Sequence, residues 1–293
     1  MSRPHVTVVG LGLMGGSLAA HLASSGFDVS GFDPAPASRA RAAAAGVEVG
    51  EVLATVVEKA DVVLTSLPTP EVVLETYANA PEGILGLRAG QVFVDASTVD
   101  PTTSSTLESR VKAAGARFVA CPLGKGPAQA ASGESPLFLG GDQDAVDAAS
   151  EVLAAIGKSH HRFPTVQAAA AFKLISNMIG FANLTALCEG VVLARRAGIE
   201  PDVLVAALRD TGAMSYQAEL RLPWILAEDF APRFAVDLAR KDLRLGVDMA
   251  ARWAVAVPAA SAALVELCRA SAAGRGGEDA AVMVETITPN APR

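Results

Sequence analysis

Lys173 is the only charged side chain between Phe163 and Cys188, in the run FPTVQAAAAFKLISNMIGFANLTALC. Alanine, leucine, isoleucine, methionine and phenylalanine recur there with no proline after Pro164, which predicts a helix buried on most of its surface. At 3.6 residues per turn, Ser176, Asn177 and Gly180 share a face with Lys173, setting an amine, a hydroxyl and an amide side by side. Apolar surroundings push a lysine toward its neutral form, so such an amine can take a proton from an alcohol or return one to a carbonyl oxygen. Two other readings stand beside this one. The lysine head could snorkel to solvent from an ordinary packing helix. The run could also span a membrane, but Lys173, Asn177 and Asn183 would each be costly in lipid.

A reactive helix face needs a scaffold, and the first half of the chain supplies one. His5 to Val9 reads as a strand that breaks at Gly10-Leu11-Gly12-Leu13-Met14-Gly15-Gly16, after which helical periodicity begins at Ser17. In a strand, glycine turn and helix of this kind, Gly10 permits the tight turn and Gly12 lets the backbone approach a pyrophosphate. Gly15 lets the helix pack close, and its N-terminus faces the anion. Phe27 to Phe32 is a second strand ending in Asp33, where a carboxylate can bind both ribose hydroxyls. That favours NAD, with NADP kept open because Arg39 or Arg41 could receive a 2′-phosphate.

Alternation continues with helices over 36–45, 51–60, 101–114 and 144–156, and strands over 61–66, 91–95, 117–120 and 136–139. The expected fold class is α/β: a Rossmann-like, doubly wound, mainly parallel domain over 1–163, followed by an all-helical substrate and dimerisation domain over 164–293. The helices expected in the second part are 166–197, 201–210, 215–228, 235–254, 258–273 and 278–287. Ligands of such sheets sit at the carboxyl ends of the strands. That gathers Gly10 to Gly15, Ser66-Leu67-Pro68, Ser97-Thr98 and Pro122 to Gly126 around one cleft.

Composition narrows the partners. A chain of 293 residues, 51% apolar and 19% charged, is a globular protein with a large core. A formal net charge of −7 without a lysine and arginine run argues against nucleic acid. Cys121, Cys188 and Cys268 are few and far apart, reading as reduced thiols of a cytoplasmic protein. Cys121 has no histidine partner in sequence to make it a nucleophile. His5, His21, His160 and His161 form no metal-ligand spacing.

Five ordered motifs together carry a resemblance. GLGLMGG, VDASTVDP at 94–101, ACPLGKGPAQAASG at 120–133, FKLISN at 172–177 and FAVDLARKDLRL at 234–245 resemble the β-hydroxyacid dehydrogenase family. That family includes 3-hydroxyisobutyrate dehydrogenase and 6-phosphogluconate dehydrogenase-like proteins. The resemblance spans nearly the whole chain. It implies an NAD- or NADP-dependent enzyme that interconverts a small 3-hydroxy acid and its semialdehyde. It makes Lys173 the acid and base, Asn177 and Ser97 substrate ligands, and Lys241 a neighbour of the cofactor. Leu13, Met14, Leu67, Pro68 and Thr98 fall with the glycine turn among the cofactor-binding positions. A homodimer or homotetramer without membrane association is expected.

The chain departs from its relatives in one loop. Where the family reads PVSGG, this chain has Pro122-Leu123-Gly124-Lys125-Gly126, so a substrate-site serine is absent and a lysine has entered. The loop is similar to the PVGRT form of sulfolactaldehyde reductases, which makes Gly124 and Lys125 candidate binders of an anionic substrate; a solvated loop lysine is the alternative. Ser176 also stands where the family has a first asparagine, and Pro164, Gln167 and Ala169 replace its glycines. Imine reductases of this fold commonly carry Asp or Tyr at the lysine position, and a non-catalytic dinucleotide-binding sensor would be expected to lose the lysine; Lys173 speaks against both.

Overall fold

The computed structural model describes residues 3–287 and divides into two compact units, Met1–Lys173 and Leu174–Arg293. Met1, Ser2 and residues 288–293, which the expected domains include, lie outside the described residues.

The first unit alternates strands and helices. In chain order it runs β1 (His5–Val9), α1 (Leu13–Ser24), β2 (Asp28–Phe32), α2 (Pro36–Ala44), β3 (Glu48–Val49), α3 (Leu53–Lys59), β4 (Val62–Thr65) and α4 (Pro70–Thr76). It continues with β5 (Val92–Asp95), α5 (Pro101–Ala113), β6 (Arg117–Ala120), α6 (Pro127–Ala131), β7 (Ser135–Gly141), α7 (Gln143–Ala148), α8 (Ser150–Ile156) and β8 (Gly157–Arg162). The eight strands form one sheet in the order β3-β2-β1-β4-β5-β6-β7-β8. The strands from β3 to β6 are parallel, β7 runs antiparallel to β6, and β8 is parallel to β7. The sheet is therefore a doubly wound α/β sheet with a reversed extension.

Helices on both faces explain why the inner strands read as unbroken apolar runs. Val6, Val8, Leu64 and Val94 enter one core with Leu18 and Leu22 of α1. Val9, Val63, Phe93 and Phe118 enter the other with Val57 of α3 and Leu107 of α5. The chain crosses over between β1 and β4, and the loops following those strands open at the end where such sheets bind ligands.

Several elements of this unit differ from the sequence reading, beginning with β3, a two-residue strand that no run in the sequence predicts. The helix expected over 144–156 breaks at Ala149 into α7 and α8. β8 follows as a strand of polar residues whose side chains are mostly exposed, so it carries no alternation to betray it. α4 and α6 are short helices that begin at Pro70 and Pro127.

α9 (Val166–Arg196) runs through the boundary between the units. Its first turns pack in the first unit, where Phe172 stacks edge-on to Phe138 at 4.7 Å and Gln167 donates to Ser105 at 2.9 Å. The expectation that this helix is buried on most of its surface is corrected by the structure. Only 44% of its most apolar window is buried, and Phe172, Ile175, Ile179 and Leu193 are exposed along one stripe. Apolar composition predicted a covered face, and among the described residues nothing covers it. By length and composition α9 could cross a membrane, although Lys173, Asn177 and Asn183 interrupt it.

The second unit continues with α10 (Pro201–Arg209), α11 (Tyr216–Leu226), α12 (Val236–Arg252), α13 (Pro258–Ala270), a π turn over Ser271–Arg275 and α14 (Met283–Thr286). Its core joins Phe181, Leu184 and Cys188 of α9 to Ile225, Leu243 and Leu267. Arg221 and Asp279 form an ion pair at 3.0 Å with both side chains buried. Asp279 also accepts from the amides of Phe234 and Ala281, so its charge is fully partnered.

Candidate active site

The glycine turn is built backbone against backbone. A Cβ on Gly10 would lie 2.3 Å from the Ser66 carbonyl oxygen, and Gly10 has φ +90. A Cβ on Gly15 would lie 1.9 Å from the Gly10 carbonyl oxygen. Side chains at these two positions are excluded by the protein itself. Gly12 differs: a Cβ there would meet nothing within 4 Å. Its smallness has no use in packing, and it suits a loop that a pyrophosphate approaches. Gly12 also caps α1 without any side-chain hydrogen bond, leaving first-turn amides of α1 for an anion. Leu13 is exposed and Met14 half-buried beside this turn. These features fit a bound dinucleotide.

Asp33 sits at the end of β2 and is 9% exposed. One carboxylate oxygen accepts from the Leu11 amide at 2.7 Å and the other from the Ala35 amide at 2.8 Å. The residue thus braces the glycine turn, and each oxygen keeps a further lone pair. Arg39 donates to the carbonyls of Asp33 and Pro34 at 2.7 and 3.2 Å, which keeps a guanidinium at the same strand end.

A buried polar chain runs from the core to the loops after β4 and β5. Thr65 donates to Asp95 at 2.7 Å, and the Ser97 amide donates to the same carboxylate oxygen at 3.2 Å. The Thr65 hydroxyl proton is thus committed, so Tyr77, at 2.8 Å from Thr65, must be the donor in that pair. Burial and the nearby Asp95 charge hold the Tyr77 phenol well above its ordinary range, consistent with a phenol that keeps its proton. The Ser97 hydroxyl oxygen accepts from the Leu67 amide at 2.9 Å. Ser97 therefore keeps its own proton for another acceptor. Pro68 is exposed and Thr98 half-buried next to this pair. Cys121, at the end of β6, is fully buried, and its thiol is pushed far up by burial and by Asp95, which removes the nucleophile reading.

The loop after β6 is pinned on its inner side. Gly124 donates to the Pro136 carbonyl at 2.8 Å, and a Cβ on Gly124 would press on Phe138 at 3.1 Å. Lys125 follows with φ +64, a left-handed conformation that a lysine adopts at some cost. Its side chain is exposed and, among the described residues, makes no hydrogen bond or ion pair. The structure links the glycine turn to Asp33 and Ser97 to Leu67; it links Lys125 to neither. Lys173 is 8% exposed on α9 at the end of this unit.

In the second unit, Asn177 donates from its amide nitrogen to Asp242 at 2.7 Å. A carboxylate only accepts, so the amide orientation is fixed and its oxygen is turned elsewhere. Lys241 lies 2.8 Å from the other Asp242 oxygen, an ion-pair distance without hydrogen-bond alignment. Close helix packing makes this possible: a Cβ on Gly246, one turn after Asp242, would collide with the Met178 sulfur at 2.6 Å. The sequence reading named Lys241 and Asn177 but missed that Asp242 joins them. It also missed Asp95, Thr65 and Tyr77. A carboxylate ending the apolar run Val92–Asp95 was the signal for Asp95, whereas nothing in the sequence marks Tyr77. Among the described residues, no group of three or more His, Cys, Asp or Glu side chains could hold a metal.

Residues 5–171 match the NAD binding domain of 6-phosphogluconate dehydrogenase, and residues 168–287 match the NAD-binding region of NADP-dependent 3-hydroxyisobutyrate dehydrogenase. The chain belongs to the β-hydroxyacid dehydrogenase family. It is 31% identical over 286 residues to L-threonate dehydrogenase of Cupriavidus necator, covering 97% of this chain and 96% of that protein. A crystal structure of 3-hydroxyisobutyrate dehydrogenase from Salmonella typhimurium superposes with a TM-score of 0.88 at 27% identity, over 97% of this chain and 99% of that one. The Mycobacterium tuberculosis 3-hydroxyisobutyrate dehydrogenase solved with L-serine gives 0.86 at 28% identity, over 98% and 99%. The chain is thus an NAD(P)-dependent hydroxyacid dehydrogenase.

Proposed function

We propose that this dehydrogenase interconverts a small anionic 3-hydroxy acid and its semialdehyde, with Lys173 as the acid and base. The observation that carries this reading is a lysine 8% exposed on an apolar helix, with Asn177 one turn further along it. Oxidation of an alcohol takes a hydride from carbon and a proton from oxygen, and Lys173 is the group suited to the proton. When bound, the nicotinamide supplies or accepts the hydride. Asn177, oriented by Asp242, holds the hydroxyl or the carboxylate, and Ser97 donates its free proton to the acid group. Lys125, without an internal partner, is available to a carboxylate or sulfonate. The relatives named for L-threonate and 3-hydroxyisobutyrate support a hydroxy acid as the substrate.

In this reading the domain over 1–163 binds the dinucleotide, with NAD favoured over NADP because Asp33 stands where a 2′-phosphate would be repelled. Residues 164–293 contribute to the substrate site and to self-association. The exposed apolar stripe of α9 supports a homodimer or homotetramer, and few, separated cysteines support a cytoplasmic protein. Replacing Lys173 by Ala is expected to lower turnover by about 10²–10⁴ while NADH binding, followed by fluorescence titration, stays near wild type. Wild-type turnover in that variant would sink the assignment.

A further inference from the structure

Gln217 stands half-buried in the first turn of α11, and its amide is held in one orientation. Arg221, one turn further along α11, donates from its guanidinium to the Gln217 side-chain oxygen. A guanidinium only donates, so the amide oxygen faces Arg221 and the amide nitrogen is turned away from it. Arg221 is itself fixed: its Nε donates to Asp279 at 3.0 Å, and its guanidinium lies 5.7 Å from the centre of the Trp224 ring. The Gln217 nitrogen lies against Gly180 of α9, where a Cβ would come within 3.0 Å of it. Glycine at that position leaves the amide uncovered, and among the described residues Gln217 makes no other side-chain hydrogen bond.

Asn177 precedes Gly180 by three residues, and residues at that spacing are neighbours on one helix face. The face is therefore bordered by two amides of opposite sense. Asn177, whose nitrogen is taken by Asp242, offers its oxygen; Gln217, whose oxygen is taken by Arg221, offers its nitrogen. Gly180 lies about 4.5 Å further from Lys173 along the helix axis than Asn177 does, so an oxygen meeting Gln217 belongs to a part of the substrate beyond the alcohol. The Arg221 charge is balanced by Asp279, and no net charge stands behind Gln217 to draw an acid group. An uncharged N–H donor there matches an uncharged oxygen. We propose that Gln217 determines specificity: its amide nitrogen donates to a second hydroxyl of the substrate and selects hydroxy acids that carry one over those with a methyl group in its place. A methyl group would cover the N–H without pairing it, whereas a hydroxyl replaces the water that the amide gives up.

The inference rests on the proposed substrate site at Lys173 and Asn177, so the test separates the two. Glycerate and 3-hydroxyisobutyrate are 3-hydroxy acids that differ only in a hydroxyl for a methyl on the second carbon. Wild-type kcat/KM should favour glycerate by roughly ten- to a hundredfold, and Gln217→Met, which removes the donor at similar length, should bring the two acids within about threefold of each other. Both acids meet the same preparation, so loss of folded protein cancels in this ratio. Calorimetric dissociation constants with NAD present, compared between Lys173→Ala and the Lys173→Ala, Gln217→Met double variant, should show weakening for glycerate alone. A ratio unchanged by Gln217→Met, or a wild-type preference for the methyl acid, overturns the proposal. An unchanged ratio together with an inactive Lys173→Ala variant refutes Gln217 and leaves the base standing. Full turnover in Lys173→Ala with a ratio that still collapses refutes the base and upholds Gln217. Failure of the protein to bind or oxidise either acid overturns both readings.

Discussion

Replacing Lys125 by Ala and, separately, by Gly distinguishes what its charge does from what its backbone costs. An ammonium about 4 Å from a carboxylate is worth about 1 kcal/mol in water-like surroundings and about 4 kcal/mol at the effective dielectric of a protein surface. Lys125 is exposed, so the lower part of that range applies: about 1–2 kcal/mol, or a KM increase of roughly five- to thirtyfold for a 3-hydroxy acid. The anion is held alike in ground and transition states, so kcat should move little. The backbone adds a second reading. At φ +64 a side chain with a Cβ costs about 1 kcal/mol that glycine does not, partly offset by the greater freedom of glycine in the unfolded chain. Lys125→Gly should therefore unfold at a denaturant midpoint no lower than that of Lys125→Ala, while both share the rise in KM. The assay is initial-rate NADH absorbance with the acid and with its uncharged amide. Equal KM changes for acid and amide would refute the anion contact, and a Gly variant less stable than the Ala variant would refute the strain argument.

Asp33→Ala should weaken NAD more than NADP, because the carboxylate is lost while Arg39 remains at the strand end; equal wild-type efficiency with both cofactors would show that Asp33 serves only as the brace to Leu11 and Ala35. Asp242→Ala should lower kcat/KM by roughly ten- to a hundredfold, and Asp242→Asn should recover part of it by keeping an acceptor for Asn177; no recovery would point to the Lys241 ion pair instead. Burial pushes the Cys188 thiol up to about 12, and Cys121 is pushed up further, so thiol reagents on the native protein should modify Cys268 alone, with the other two reacting only on unfolding.

The doubly wound core was legible because both faces of its parallel strands are covered, which turns β1, β4, β5 and β6 into apolar runs punctuated by glycine and proline. The reversed extension was only half legible. β7 is apolar and was expected, whereas β8 is the polar GKSHHR and gives no periodic signal. The long helix shows the limit from the other side. Its apolar sequence was read as burial, but Ile179 and Leu193 are 59% and 68% exposed, because composition reports what a face could cover and not whether a single chain covers it.

Site residues divide along the same line. The glycine turn was readable because Gly10 and Gly15 answer a local steric need at a fixed spacing, a Cβ at either striking backbone. Ser97 was named, but which hydrogen-bonding face it presents depends on contacts that no spacing encodes. Asp95 accepts from Thr65 and from the Ser97 amide, and the Leu67 amide occupies a lone pair on the Ser97 oxygen. With its acceptor side engaged, Ser97 is left as a donor, matched to a carboxylate oxygen rather than to a substrate hydroxyl proton. The orientation of Asn177 follows the same logic, since Asp242 fixes its amide nitrogen and frees its oxygen. Ser97 is thereby left as a donor and Asn177 as an acceptor, and that polarity comes from Asp95 and Asp242, each acting within its own unit.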